Sequence, residues 1–244
     1  MDSLKKKYVL TSILALVLVG GFWFASSYWR NNTSQGSEGE FQVLENLQEF
    51  EIRNENMDEE LKEGYYEIFQ RERKALQAAI EEYDRLGSES RAYLYWPVMN
   101  LGMVHKNVGD YEKAESAFFF AMDLQPNAHL PYGQLGELYF RDMQEYDKAQ
   151  EYYEKAIEIE SDYIGQYYGE LYEVVRYHTG DEGKAEKVLL SGVEKYPEHT
   201  EILALLALHY RQVGERQKAI ERYVELLEKK PDSVVAQQGL EALR

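Results

Sequence analysis

Four alanines set the period of this chain. Ala114, Ala149, Ala185 and Ala219 stand 35, 36 and 34 residues apart, and a large apolar residue follows each four positions later: Phe118, Tyr153, Leu189 and Tyr223. Twelve residues after each alanine comes Pro126, Ser161, Pro197 or Pro231. Upstream, Leu101-Gly102 with His105, Leu135-Gly136 with Tyr139, and Leu206-Ala207 with Tyr210 recur in step. A period of this length means supersecondary units whose apolar faces are buried only by their neighbours, so at least three must stack. Small residues fall where two helices approach closely, and aromatics fill the gaps between successive pairs. Gly109, Gly180 and Gly214 are placed to supply the left-handed residue that ends a first helix. Pro97 and Pro131, 34 residues apart, suit a first helical turn, where a missing N–H costs nothing.

This pattern resembles the tetratricopeptide repeat, a helix–turn–helix unit of 34 residues with the signature Leu-Gly, Tyr, Ala, aromatic, Pro. The resemblance covers residues 95–233 as four units. It implies an all-α fold, a right-handed superhelical solenoid, expected here to stand behind the N-terminal transmembrane helix that the apolar run at residues 8–29 suggests. Three departures stand out: the second unit carries an extra residue, Ser161 replaces its proline, and Tyr172-Glu173 occupy the usual Leu-Gly position. The first helix of the third unit is therefore expected to pack less regularly. Residues 234–244 read as a capping helix. In residues 59–94, Leu61, Tyr65, Ile68 and Phe69, then Leu76, Ile80, Tyr83 and Leu86, follow a helical stripe. Ala79 and Tyr83 stand 35 residues before Ala114 and Phe118, which favours a degenerate fifth unit; QRERKALQ contains no turn residue, which favours one long helix. Phe41 to Phe50 is expected to form a short helix, or a coil used in self-association.

The N-terminus has a different character. Tyr8 to Trp29 run 22 residues without a charge, roughly the 30 Å of helix that spans a bilayer core. Lys5, Lys6 and Lys7 precede the run and Arg30 alone follows closely. The positive-inside rule places residues 1–7 in the cytoplasm and everything after Trp29 outside. A cleaved signal peptide is the rival reading, with Ala25 and Ser27 before the cut. The apolar run exceeds an ordinary signal core, and Tyr28 and Trp29 crowd that site, which favours an uncleaved signal-anchor at 8–29. Both readings export the rest of the chain. The expected location is thus the cell membrane, single-pass, with the repeat domain extracytoplasmic and a polar linker over residues 30–58. Asn31-Asn32-Thr33 and Asn32-Thr33-Ser34 fit a glycosylation acceptor pattern, which matters only in a eukaryotic secretory pathway.

Charge and composition exclude several function classes. The formal net charge is −17, which argues against a general affinity for DNA or RNA phosphates, since that rests on a basic footprint. Residues 1–30 take four basic residues and one acidic one, leaving residues 31–244 with 23 basic and 43 acidic residues, a net −20. There is no cysteine, hence no disulfide, thiolate metal site or cysteine nucleophile. The sequence holds no HExxH, no Gly-rich phosphate loop and no GxSxG. His105, His129, His178, His199 and His209 form no i, i+4 pair. The chain is therefore read as a non-enzyme with no cofactor and no metal.

What remains is a surface. In the tetratricopeptide family the first helix of each unit lines the binding groove, and by register this implies Trp96, Met99, Met103, Lys106 and Asn107 in the first unit. The second unit offers Glu137, Phe140 and Arg141; the third offers Tyr167, Glu170, Val174, Tyr177 and His178; the fourth offers Leu208 and Arg211. The carboxylate clamp of some family members is absent, because Met103 stands where its first asparagine would be. The groove is expected to take an extended or helical segment of a protein or peptide partner through side-chain contacts. The whole reads as a membrane-anchored scaffold within an envelope, secretion or pilus-type assembly. A self-associating homo-oligomer and a chaperone-like helper of exported chains are the alternatives.

Overall fold

A computed structural model describes residues 38–244, with the exception of Glu160. The apolar run at 8–29 and the signal-anchor expected there lie outside the described residues. Among the described residues there is no strand, and no helix is long and apolar enough to cross a membrane. The chain divides into two compact units after Asn46. The described part of the first is a single helix, α1 (Glu38–Asn46). The second unit, Leu47–Arg244, holds everything that follows.

Its first helix, α2 (Glu59–Leu86), is continuous over 28 residues. Asp58 caps it by accepting from Leu61 N at 2.8 Å, and Glu59 and Glu60 suit the positive end of its dipole. No hairpin interrupts it, because QRERKALQ contains nothing that could end a helix. The helix stops only at Gly87, where φ is 73°. A 3₁₀ segment, Gly87–Leu94, then leads into α3 (Tyr95–Asn107). The buried stripe of α2, namely Phe69, Glu72, Leu76 and Ala79, is the face packed towards α3. Glu72 is the polar member of that stripe, and it accepts from Asn100 Nδ2 at 2.8 Å.

Four helical hairpins follow. α3 (Tyr95–Asn107) pairs with α4 (Tyr111–Leu124), and α5 (His129–Glu137) with α6 (Tyr146–Glu158). α7 (Ile164–Glu173) pairs with α8 (Glu182–Lys195), and α9 (Thr200–Gln212) with α10 (Arg216–Lys229). α11 (Val234–Glu241) closes the stack, capped by Ser233. The four marker alanines are fully buried, as are Phe118, Tyr153, Leu189 and Tyr223. Steric need explains the small residues: a Cβ on Gly136 would come within 2.7 Å of the Tyr153 ring. Successive hairpins are also tied by polar contacts. The Tyr139 hydroxyl donates to Glu115 of the preceding hairpin, and the Tyr210 hydroxyl donates to Glu186 in the equivalent place at 2.9 Å.

Residues Leu47–Asp58, expected as linker, are docked on the first hairpin. The N–H groups of Arg53 and Asn54 both donate to the Val108 carbonyl, at 2.8 and 2.9 Å. Asp110 has no exposed surface and lies between Arg53 (3.2 Å) and Lys113 (3.3 Å), at ion-pair distance though not in hydrogen-bond geometry. Asp110 therefore does not cap its helix, whereas Asp181 caps α8 by accepting from Lys184 N at 2.8 Å. Lys113 also donates to the Glu49 carbonyl at 3.2 Å. His105 Nε2 faces the Leu47 carbonyl at 3.1 Å, which requires the proton on that nitrogen. Burial holds the His105 pKa below its ordinary value, although the Leu47 hydrogen bond works the other way. Phe50 completes the strap by packing its ring, tilted, 4.6 Å from that of Phe69.

The left-handed glycines sit where the spacing predicts, at Gly109 (φ 84°), Gly180 (φ 72°) and Gly214 (φ 83°), and Gln144 takes the same region in the second unit (φ 56°). Two of these give a test of the strap. A Cβ on Gly214 meets nothing within 4 Å, whereas on Gly109 it would stand 3.1 Å from the Asn54 backbone N. Gly214→Ala should cost only the backbone term, about 1–2 kcal/mol, or about 2–8 °C in thermal midpoint. Gly109→Ala should cost more, and hydrogen exchange should show faster amide exchange over residues 47–58 in that variant alone.

Candidate partner-binding face

The first helices of the two middle hairpins do not end as simple α-helices. Thirteen residues separate Leu101 from Ala114 and Leu206 from Ala219, but fourteen separate Leu135 from Ala149 and Leu171 from Ala185. The extra residue is absorbed by π turns at Leu138–Asp142 and Val174–His178. They are closed by Met143 N donating to the Leu138 carbonyl (3.0 Å) and Thr179 N to the Val174 carbonyl (3.1 Å). One inserted residue rotates what lies on one side of it by about 100° relative to the other. Leu135 and Leu171 each stand three residues before a π turn. Leu171-Tyr172, not Tyr172-Glu173, is therefore the third unit's counterpart of Leu-Gly.

That rotation corrects part of the expected groove. Phe140 and Tyr167 are buried, at 4% and 5% exposure, because a register counted without the π turns puts them on the wrong face. Met99 is also buried, at 1%, since α3 is packed by α2, the 3₁₀ segment and α4 together. Val174 is enclosed as well. Trp96 and Tyr177 are exposed, and so are Asn107, Arg141, His178 and Arg211. Met103, Lys106, Glu137, Glu170 and Leu208 are half-buried. His178 is held in place despite its exposure, stacked 4.3 Å from Tyr146 and edge-on to Phe140.

The exposed side chains stand on a platform linked by a series of cations. Lys106 of the first hairpin reaches Glu137 (2.8 Å) and Gln134 (3.1 Å) of the second. Arg141 reaches Glu170 (2.7 Å) and Glu173 (3.2 Å) of the third, with its guanidinium 4.6 Å from the Phe140 ring. Arg176, absent from the sequence-based set, reaches Gln212 of the fourth at 2.7 Å and also donates to Tyr172. Tyr177 donates to the same Gln212 oxygen at 3.2 Å. Half-exposed pairs of this kind contribute only about 0.2–1 kcal/mol each. Their effect is to fix the spacing of successive first helices.

The local fields are consistent with this geometry. Burial pushes the Glu170 carboxyl above its ordinary pKa, and Arg141 pulls it back only in part. Burial holds His209 below its ordinary value, reinforced by the Arg176 charge. Burial does the same to His129, whose Nδ1 shares a hydrogen bond with the Tyr167 hydroxyl at 2.7 Å.

Two hollows open near this face. The smaller, about 110 Å³, lies between α5 and α7 and is lined by Gln134, Glu137, Tyr153, Tyr163, Tyr167 and Glu170 among others. Gly133 permits it: a Cβ there would come 2.5 Å from the Tyr167 ring. The larger, about 480 Å³, is lined by His129, Asp162, Tyr163, Tyr196 and His199. Among the described residues no group of His, Asp and Glu is arranged to hold a metal ion.

Residues 98–127, 131–163 and 202–233 match models of the tetratricopeptide repeat, and the third hairpin, with Tyr172 in the glycine position, falls between the matched stretches. The chain is a tetratricopeptide-repeat protein, a class whose stacked helices serve as protein-binding scaffolds. Among solved structures it is similar to BtubC (BKLC) from P. vanneervenii, 17% identical with a TM-score of 0.56, over 73% of this chain and 82% of that one. It is also similar to YrrB, described as a TPR protein with an unusual peptide-binding site, 21% identical with a TM-score of 0.46, over 69% and 81%. At these identities the likeness is one of fold. No curated protein matches the chain in sequence.

The division between core and surface is open to measurement. Tyr167→Ala removes a buried ring and should cost about 3–5 kcal/mol, as aromatic truncations in cores do. Tyr177→Ala removes an exposed one and should cost less than about 1 kcal/mol. Urea unfolding of the two variants gives the difference directly.

Proposed function

We propose that this protein is a membrane-tethered scaffold whose repeat domain binds a segment of a protein partner across the face of the first helices. The observation that carries the reading is the pairing of large exposed side chains, Trp96 and Tyr177, with a platform held in fixed spacing by Lys106, Arg141 and Arg176. Exposed aromatics on a rigid support are the groups that anchor interfaces. The tether is the apolar run at 8–29, which sets the repeat domain on the extracytoplasmic side, in an envelope, secretion or pilus-type assembly. The reading assigns no catalytic step to the chain.

Self-association is the second reading. It is favoured by exposed apolar residues at both ends of the stack: Leu61, Tyr66 and Ile68 on α2, and Val234 and Val235 on α11.

Membrane placement is tested by cysteine labelling, which the absence of native cysteine makes unambiguous. In intact cells an impermeant maleimide should label Ser34→Cys, and should label Ser3→Cys only after permeabilisation. Labelling of Ser3→Cys alone in intact cells would reverse the orientation. Partner binding is tested by a photo-crosslinking residue at Tyr177, with a control at exposed Glu151 on α6, irradiated in native membranes. A discrete adduct from position 177 alone is expected. Many different exported chains trapped there would indicate a chaperone-like helper. Self-adducts only, or equal labelling at both sites, would remove the groove reading in favour of the oligomer.

A further inference from the structure

The smaller hollow has features that the stacking of repeats does not require. Tyr153 lines it, is 1% exposed, and its hydroxyl has no hydrogen-bond partner within the chain. Leaving a buried hydroxyl unpaired costs on the order of 1–3 kcal/mol, so a core position of this kind would be better served by phenylalanine. The walls are aromatic, with Tyr163 and Tyr167 beside Tyr153. At the mouth, Glu137 and Glu170 line the space, and Asp142 and Glu173 lie close by. These four carboxylates meet two cations, Lys106 and Arg141, so the mouth keeps an excess of two negative charges.

From this arrangement we propose that the hollow between α5 and α7 receives one basic side chain, lysine or arginine, of the partner segment. The inference rests on the first-helix face being the binding face. Size selects the occupant first. At about 110 Å³ the space is well below the roughly 300–1,000 Å³ of small-molecule sites, and it suits one extended side chain. Charge selects it next. Both local cations are engaged at 2.7–2.8 Å with carboxylates that line the hollow, so an acidic side chain would meet repulsion. An aliphatic stem packs on the tyrosine rings, and its cationic head lies over their faces. The Tyr153 oxygen then accepts an N–H from that head, with Glu137 and Glu170 alongside. Glu170 is already raised by burial and by the neighbouring Glu173 and Glu137 charges; an incoming cation relieves that crowding.

The test begins with random dodecapeptides displayed on phage and panned against the full-length protein in mild detergent. Enriched peptides are then synthesised and measured by fluorescence anisotropy on the wild type, Tyr153→Phe and the double variant Glu137→Gln/Glu170→Gln. Enriched sequences should share a lysine or arginine at one aligned position. Replacing that residue with norleucine, or using the double variant, should weaken binding at least tenfold. Tyr153→Phe should weaken it several-fold without lowering the thermal midpoint, which separates a ligand contact from a structural one. Circular dichroism checks that the double variant folds; if it does not, the norleucine comparison on the wild type decides alone. Enriched peptides with no shared basic residue, or binding indifferent to norleucine, would overturn the inference and leave the binding face intact. No enrichment at all would overturn both.

Discussion

The stack depends on aromatic rings lying directly against helix backbone. Tyr153 reaches the Gly136 backbone within its own hairpin, and Tyr167 reaches Gly133 across the gap to the previous one. In both places a single methyl group would overlap the ring. Contacts this close bring the hairpins near enough for short polar side chains to span the joints. The Tyr139–Glu115 and Tyr210–Glu186 bonds, and the bridges from Lys106, Arg141 and Arg176, all need that separation. Packing therefore comes first, and the polar contacts set spacing on top of it.

The N-terminal end of the stack is closed in another way. α2 gives the first hairpin an apolar neighbour, and the strap of residues 47–58 covers the turn at Val108–Asp110. A buried aspartate and a buried histidine are costly unless paired, and both are met by this strap: Asp110 by Arg53, and His105 by the Leu47 carbonyl. The strap is thus specified by polar needs of the first hairpin as much as by the apolar contact of Phe50.

Much of the fold was legible because it rests on steric rules that leave a strong trace in sequence. An alanine every 34 to 36 residues, a ring four positions on, and glycine at the turns can hardly occur for another reason. The site was less legible. A π turn shows only as one residue too many, and counting from one side of it misassigns residues on the other, Phe140 and Tyr167 among them. The spacing of Leu171 to Ala185 held the missing signal. Arg176 carries no sequence signal because its partners, Tyr172, His209 and Gln212, come together only across two hairpins. The strap looks like linker in sequence because its anchors, Leu47, Glu49, Arg53 and Asn54, have no periodicity to mark them.

The same π turns change what kind of sequence change can retune this surface. Deleting one residue from Leu138–Asp142 would keep the helix, its composition and nearly its length. It would also swing the side chains beyond the deletion by about a quarter turn, exchanging which of them meet solvent. In most helical proteins the presented face is altered one substitution at a time. Here a single insertion or deletion at a point that already tolerates an irregular turn re-deals the whole segment at once, while the marker alanines and rings of the core stay where they are.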